Sequence, residues 1–324
     1  MSDLPGPDAR TPLVAVVMPV YNGARFLDES LRSAREQTLT DVEIVVVDDG
    51  STDGSLAIAA RHAAEDRTVR VVARVNGGVA AARNAGMQLT DAPFIALLDA
   101  DDIALPSRLE RQLQFLLENP DVAVIGTHGW RIGEDGRELG VFDVGPMSRE
   151  HFEDLRVCNE VIYLLASSVM FRRQVALSVG GFRDVEFAED ADLWTRIADE
   201  HVVLALPERL VRYRVHPSSD SSKYFFRQME SASLIKANCW RRRSGLPEIG
   251  LSSLRAELAS DPFRIRFRRN AIWRSQYCYR IAGGRLANRD PTGLAWLALS
   301  FVFAPAVPVH RLRRQLIPWL VAKR

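Results

Sequence analysis

The chain has 324 residues, of which 47% are hydrophobic, and this is enough to bury a large core in one big domain or in a domain with an appendage. Its three cysteines, Cys158, Cys239 and Cys278, are odd in number and far apart, which argues against both a disulfide framework and a zinc site. The formal net charge of +1 conceals a split between −13 over residues 1–224 and +14 over residues 225–324, and the acidic first part argues against nucleic acid as its main ligand.

The first part of the chain alternates between two hydrophobic patterns. Residues 1–11 are polar and lack the regions of a secretory signal, so we expect a flexible leader there. Short runs that are continuous in Val, Ile and Leu predict buried strands, and apolar spacings of three and four predict helices between them. This order predicts an α/β fold with a doubly wound, mostly parallel sheet. The predicted strands cover 13–19, 42–48, 69–74, 94–99 and 122–127, and the predicted helices 24–37, 55–65, 78–89 and 106–118.

Two clusters of aspartates come at the ends of predicted strands. Asp48 and Asp49 end the second strand, and Asp99, Asp101 and Asp102 follow the fourth. Ligands of such sheets bind at the carboxyl ends of the strands, so both clusters should face one cleft. The turn after the first strand reads PVYNGARF, which is neither a dinucleotide-binding glycine fingerprint nor a Walker loop. We therefore expect a nucleotide held by carboxylates, with its phosphates on Mg²⁺ or Mn²⁺, and such a cation makes the crowded acids tolerable.

Six motifs in the first two thirds of the chain resemble the family 2 glycosyltransferases of the GT-A fold. They occur in order over residues 13–198: VVMPVYNGARFLDESLRSAREQT, IVVVDDGSTDGS, NGGVAAARNAGM, ALLDADD, GGF and FAEDADLWTRIA. The resemblance implies an inverting enzyme that uses a nucleotide sugar. It also implies a GT-A nucleotide-sugar-binding domain over residues 12–222, which a helical, basic extension over residues 223–324 follows.

The resemblance implies a role for the residues after the first two strands. Asp49 would accept a hydrogen bond from the N3–H of uracil or thymine, and Pro19, Tyr21 and Asn22 would line the nucleoside pocket. A carboxylate does not pair in this way with cytosine, so a UDP- or dTDP-sugar is favoured over a CDP-sugar. Guanine, which has N1–H and N2–H donors, stays open.

The resemblance also places a diphosphate and a divalent cation, Mn²⁺ or Mg²⁺. Asp99 would touch the ribose or the water shell of the metal, and Asp101 would bind the metal directly. His216 would reach the metal or the diphosphate, and an ordinary turn histidine is the alternative. Arg83, near the start of a helix that faces the same rim, would contact the nucleotide or its phosphates, and a solvated helix residue is the alternative.

An inverting displacement needs a carboxylate on the acceptor side that takes the proton of the attacking hydroxyl. Asp190, the second acid of the Glu-Asp pair in AEDADLW, is the candidate base, and Glu189 is the neighbour most easily confused with it. An acid that merely suits a helix N-terminus is the alternative for Asp190. Two other functions compete: a sugar nucleotidyltransferase, which would need a Gly- and Arg-rich loop with a lysine after the first strand, and a non-catalytic module that binds a sugar nucleotide or a membrane.

The last hundred residues predict helices over 225–245 and 261–284, the second basic and interleaved with aromatics. An uncharged stretch over 291–309 contains two prolines that end a helix early, and a basic tail over 310–324 follows. These segments would lie in the interface of an anionic membrane, pack as plain helices, or span the bilayer. The few, scattered cysteines favour the cytoplasm. The first arrangement would also make the protein peripheral on the inner face of the membrane, where the acceptor would be a lipid-linked intermediate or a cell-surface glycan.

Overall fold

The structure of the chain is a computed structural model that describes residues 11–216, 224–287 and 289–309. Nearly all of the predicted leader, the predicted boundary at 222/223 and the basic tail from residue 310 lie outside these residues. The chain divides into two compact units. The described part of the first unit comprises residues 11–216 and 235–246, and that of the second comprises 224–234, 247–287 and 289–309.

The described residues of the first unit contain a nine-stranded mixed sheet in the order β3-β2-β1-β4-β8-β6-β9-β5, with β7 paired to β6. Strands β1 to β4 are parallel to one another, β8 is antiparallel to both β4 and β6, and β9 is parallel to β6. The strands are β1 Val14–Val20, β2 Val42–Asp48, β3 Val69–Ala73, β4 Phe94–Leu97, β5 Ile103–Ala104, β6 Val122–Ile132, β7 Glu138–Phe142, β8 Met170–Arg172 and β9 Val202–Arg214.

Helices connect these strands and cover the sheet. The first four follow β1, β2, β3 and β5, and each lies within about two residues of its predicted range. The helices are α1 Ala24–Arg35, α2 Ser55–Glu65, α3 Val79–Gln88, α4 Arg108–Glu118, α5 Arg149–Val157, α6 Arg173–Ser178 and α7 Glu189–Ile197.

The predicted α/β class is confirmed, and the structure shows where the parallel arrangement ends. The predicted strand over 122–127 is the first half of β6, but it does not lie beside β4, because β8 inserts between them with its chain direction reversed. β8 has only three residues, which is too short for a hydrophobic pattern to reveal it. The sheet is therefore parallel on the side of the nucleoside motifs and mixed on the other side.

Close packing of α3 on β1 brings the residues of this helix to the rim of the sheet. Gly86 faces Val17, and a Cβ atom at this glycine would lie 2.4 Å from Val17 Cγ1. The missing side chain lets the helix backbone approach the strand. Arg83, one turn earlier on α3, is thereby held at the end of the sheet where β4 stops.

The second unit is helical, as predicted for the C-terminal extension. Helix α8 Phe225–Arg243 begins in the second unit and ends in the first, and α9 Leu251–Ser260, α10 Phe263–Ala287 and α11 Gly293–Phe303 follow. The Ser275 hydroxyl of α10 donates to the Ser300 carbonyl of α11 at 2.8 Å. α11 ends before Pro305, as expected of a residue that cannot continue a helix. In the described parts of the chain, no helix is both long enough and apolar enough to cross a membrane.

Candidate active site

The predicted nucleoside pocket lies where β1 and β2 end, and Asn22 joins their two loops. Its backbone adopts a left-handed conformation, with φ of 51°, which asparagine tolerates better than most residues. The Asn22 carboxamide accepts a hydrogen bond from Thr52 N at 2.8 Å, and Asn22 N donates to Ser51 Oγ at 3.0 Å. Pro19 is partly buried in β1, whereas Tyr21 is exposed beside this junction. The three predicted pocket residues therefore stand at one corner of the rim.

Asp49 is buried, and its carboxylate holds the loop that precedes α3. It accepts from Gly78 N at 2.8 Å and from Gly77 N at 3.1 Å, and Arg74 Nε lies 3.3 Å from it. Gly78 has a φ of 85°, a conformation that favours glycine. Sequence reasoning did not identify Arg74 or these amides as partners of Asp49. These contacts fix the carboxylate at the carboxyl end of β2, where the resemblance predicts contact with the donor's base.

Asp101 and His216, the two predicted metal ligands, meet in the structure although they are 115 positions apart in the sequence. His216 Nε2 lies 2.8 Å from Asp101 Oδ2, and the imidazole ring packs on the ring of Phe26 with 5.4 Å between centroids. The described residues hold no group of three or more His, Cys, Asp and Glu side chains that is suited to a metal ion. A carboxylate oxygen nevertheless suits both Mn²⁺ and Mg²⁺, because substrate phosphates and water commonly complete the coordination of these ions, whereas an imidazole nitrogen suits Mn²⁺ better than the harder Mg²⁺.

Asp102 turns away from the cleft and is fully buried. Its carboxylate accepts from Arg214 N at 2.7 Å, and the buried Arg214 side chain donates from Nε to the Asp101 carbonyl at 2.9 Å. Burial, followed by the charges of Asp101 and Asp99, raises the pKa of Asp102 well above its usual value. This acid therefore fixes the aspartate loop to β9 and presents no free carboxylate to a ligand.

Arg83 connects the aspartate loop with the Glu-Asp pair. Its Nη2 donates to Asp99 Oδ1 at 2.9 Å, and its Nη1 donates to Glu189 Oε1 at 2.6 Å. The side chain is only 3% exposed, so Arg83 is not the solvated helix residue that the sequence left as an alternative. Burial opposes its charge, but Asp99, Glu189 and Asp190 together raise the pKa of Arg83. The guanidinium is a permanent cation between three acids.

Glu189 and Asp190 begin α7 and differ in their surroundings. Glu189 is buried against Arg83, and burial raises its pKa to about 7 although Arg83 acts in the opposite direction. Asp190 is partly exposed, and its Oδ1 accepts from Ala191 N at 2.7 Å. Burial of its carboxyl group also raises the pKa of Asp190. Glu189 is therefore engaged with a cation, whereas Asp190 is the more exposed of the two acids.

Asn84, next to Arg83 on α3, holds the GGF loop. Its side-chain amide donates to the Phe182 carbonyl at 2.7 Å and its oxygen accepts from Phe182 N at 2.9 Å. The Phe182 ring in turn lies under the Arg83 guanidinium, 5.6 Å from its carbon to the ring centroid. Sequence reasoning missed Asn84, although its place beside Arg83 in AARNAG was a signal. Two adjacent residues of one helix therefore position three separate motifs.

The beginning of α7 also rests on α8. Ile235 of α8 is buried in a small apolar cluster with Val161, Ala188 and Ala191, and the two alanines flank the Glu-Asp pair. Arg242 and Arg243, near the end of α8, each donate through Nε to the Asp199 carboxylate at 2.8 Å. Residues 235–246 thus belong to the first unit, although the sequence between 217 and 234 separates them from the rest of it.

The sequence of the chain is similar to those of known proteins. The sequence pattern of the family described as Glycosyl transferase family 2 matches residues 15–180, which is half of the chain. The chain belongs to this family. The putative glycosyltransferase EpsE of Bacillus subtilis is 32% identical over 245 residues, which cover 73% of this chain and 84% of EpsE. An uncharacterized glycosyltransferase of Haemophilus influenzae is 28% identical over 69% of this chain and 72% of its own length.

Solved glycosyltransferase structures share the fold. S. aureus TarS 1–349 in complex with UDP matches with a TM-score of 0.53 and 16% identity, over 93% of this chain and 91% of that one. The mannosyltransferase PcManGT of Pyrobaculum calidifontis, in complex with GDP-Man and Mn²⁺, matches with a TM-score of 0.55 and 19% identity, over 94% and 88%. The predictions of a family 2 glycosyltransferase and of a GT-A fold with a helical C-terminal region are thus confirmed.

Proposed function

We propose that this glycosyltransferase is a metal-dependent, inverting enzyme that moves a sugar from a UDP- or dTDP-sugar to a hydroxyl group. The observation that carries the proposal is the bridge through Arg83. One guanidinium binds Asp99 of the aspartate loop and Glu189 of the Glu-Asp pair. The predicted ribose-binding acid and the neighbour of the predicted base are therefore held at a fixed separation, as a displacement between two bound substrates requires.

The residues of the chain divide the work of this reaction. Asp49, in its frame of amides, accepts from the donor's base, and Asp99, oriented by Arg83, meets the ribose. Asp101 and His216 would hold the divalent cation, which when bound stabilises the charge of the leaving diphosphate. Asp190 takes the proton of the acceptor hydroxyl. Its raised pKa makes it a stronger base than an ordinary aspartate.

The proposed base pairing is tested by thermal shift with UDP, dTDP and GDP. The complex of TarS with UDP supports a uridine nucleotide as the donor of this enzyme. The complex of PcManGT with GDP-Man is the reason for including GDP in the test. We expect UDP or dTDP to stabilise the protein and Asp49→Asn to weaken the effect, because the carboxamide has one acceptor oxygen in place of two and carries no negative charge. Stabilisation by GDP alone would overturn the choice of base.

The proposed general base, Asp190, is tested by an assay of sugar transfer. The donor for this assay is first identified in a panel of nucleotide sugars with Mn²⁺ or Mg²⁺. Asp190→Asn should lower turnover by about 10²- to 10⁴-fold, the usual contribution of a positioned base, and should leave the thermal shift by the nucleotide intact. Glu189→Gln is the matched comparison, because it changes the adjacent carboxylate in the same way. Near-normal turnover of the Asp190→Asn enzyme would refute the assignment.

For the acceptor and the location we propose a lipid-linked intermediate or a cell-surface glycan, reached from the cytoplasmic face of a membrane. The positive charge of the C-terminal hundred residues supports this, because anionic lipids attract basic segments. The alternative from another functional class is a non-catalytic module that binds a sugar nucleotide or a membrane. Hydrolysis of the donor by the wild type would distinguish the enzyme from such a module. The nucleotidyltransferase alternative lacks support, since the loop after β1 carries no Lys and the chain belongs to the glycosyltransferase family.

A further inference from the structure

The first six residues of α10, residues 263–268, expose large apolar side chains in the second unit, and we name them the α10 surface. Phe263 is 72% exposed, Ile265 52% and Phe267 65%. The two phenylalanines are one turn apart and their ring centroids lie 6.1 Å from each other. Water-exposed aromatic pairs of this kind are uncommon on a surface without a binding role.

Arginines alternate with these apolar residues. Arg264, Arg266 and Arg268 are all exposed, and α10 as a whole contains arginine but neither aspartate nor glutamate. The nearest acid before the helix, Asp261, is already paired with Arg269. The α10 surface therefore combines exposed aromatic rings with positive charge that no acid of its own helix neutralises.

The neighbouring parts of the second unit continue this character. A depression on α10 is lined by Ile265, Ile272 and Trp273, with Arg268 and Arg269 beside them. The adjacent helix α11 has no charged residue, and its Val302 is 76% exposed. The arginines would bind phosphate groups while the rings of Phe263 and Phe267 enter the layer beneath them.

We propose that the α10 surface binds the interface of an anionic lipid bilayer, with Phe263 and Phe267 inserted among the acyl chains and the arginines on lipid phosphates. A bilayer is favoured over a protein partner because its anionic headgroups complement a helix segment that is basic on all sides, and apolar insertion requires no matching shape. This proposal names the residues that make the membrane attachment proposed above, and it therefore rests on that attachment.

The test uses the full-length protein and flotation with vesicles of phosphatidylcholine alone or mixed with phosphatidylglycerol. The wild type should bind the anionic vesicles, and added salt should weaken binding. Arg264→Gln, Arg266→Gln and Arg268→Gln together should lower the partition coefficient about 100-fold. Phe263→Ser with Phe267→Ser should lower it about tenfold. The matched control exchanges two exposed apolar residues of the first unit, Leu117→Ser and Val157→Ser, and should bind as the wild type does.

The outcomes distinguish failure of the α10 surface from failure of the membrane attachment and from failure of the proposed glycosyltransferase reaction. Wild-type binding by both α10 variants would overturn the α10 surface and leave attachment through another segment. A wild type that binds no vesicles would overturn the attachment as well. A change of oligomeric state in the phenylalanine variant, measured by light scattering and without loss of vesicle binding, would instead assign the surface to a second copy of the chain. Donor hydrolysis without vesicles, which should be equal in all variants, tests the glycosyltransferase reaction separately.

Discussion

Removal of the Arg83 guanidinium should destabilise the enzyme strongly. Arg83→Met keeps much of the volume but deletes the bonds at 2.6 and 2.9 Å, so that Glu189 and Asp99 lose their shared cation beside Asp190. Loss of one partner from a buried ion pair costs about 3–5 kcal/mol, because the remaining charge is left without compensation in a poorly solvated place. We expect a loss of this size in the free energy of unfolding, measured by urea denaturation at pH 8.

The cost should depend on the charge of Glu189. Arg83→Met combined with Glu189→Gln removes both members of the pair, and the cycle of single and double variants should show a coupling of about 1.5–3 kcal/mol. Burial already raises the pKa of Glu189 to about 7, and loss of Arg83 raises it further. Protonation of this acid removes the unpaired charge, so the destabilisation of Arg83→Met should shrink as the pH falls from 8 to 5.

A second buried arginine supplies the control. Arg196 pairs with Asp192 at 2.8 Å within α7 and does not share the acids of Arg83. Arg196→Met should also lower the free energy of unfolding. In the double variant with Glu189→Gln, however, the two effects should simply add, and Glu189→Gln should restore no stability. If the Arg83→Met and Glu189→Gln effects add within about 0.5 kcal/mol, the bridge does not have the energetic role that its geometry indicates.

Three further predictions concern the base, the metal and the packing of α3. Because Asp190 acts deprotonated and its pKa is raised, kcat/KM should decline with falling pH at a higher pH than an ordinary aspartate would cause, and a profile that is flat down to pH 4 would contradict this. His216→Ala should raise the Mn²⁺ concentration for half-maximal activity about tenfold, and Asp101→Asn should abolish the activation by Mn²⁺. Metal titrations that are unchanged in both variants would exclude these residues as ligands. Gly86→Ala should lower the free energy of unfolding in urea by about 1–3 kcal/mol, and a second substitution, Val17→Ala, should restore part of this loss. If the effects of the two substitutions simply add, there is no clash between the new methyl group and Val17.

The sequence predicted the elements that continuous apolar runs create and missed those that depend on distant neighbours. Strands β1 to β4 were found because buried parallel strands are apolar on both faces. The three-residue β8, which reverses the sheet direction, leaves no pattern in the chain and is defined by its pairing with β4 and β6.

The candidate site shows the same division. The motifs indicated which acids gather at the rim, but not which of them bind each other. Arg83 and Glu189 are 106 positions apart, and no helical or strand period relates them. The sequence consequently predicts a nucleotide contact or a solvated residue at Arg83, whereas the structure buries this side chain between acids. Its contact with the nucleotide stays a prediction.

The return of α8 to the first unit has a consequence for shortened forms of this enzyme. A fragment that stops at residue 222 retains all six motifs that carry the resemblance, as well as the whole segment that matches the family. It would nevertheless lack Ile235, whose side chain fills the apolar cluster with Ala188 and Ala191 on either side of the Glu-Asp pair. The motifs identify the family, and we expect an active minimal form to extend through residue 246. The portion that marks the family would then be shorter than the portion that can act.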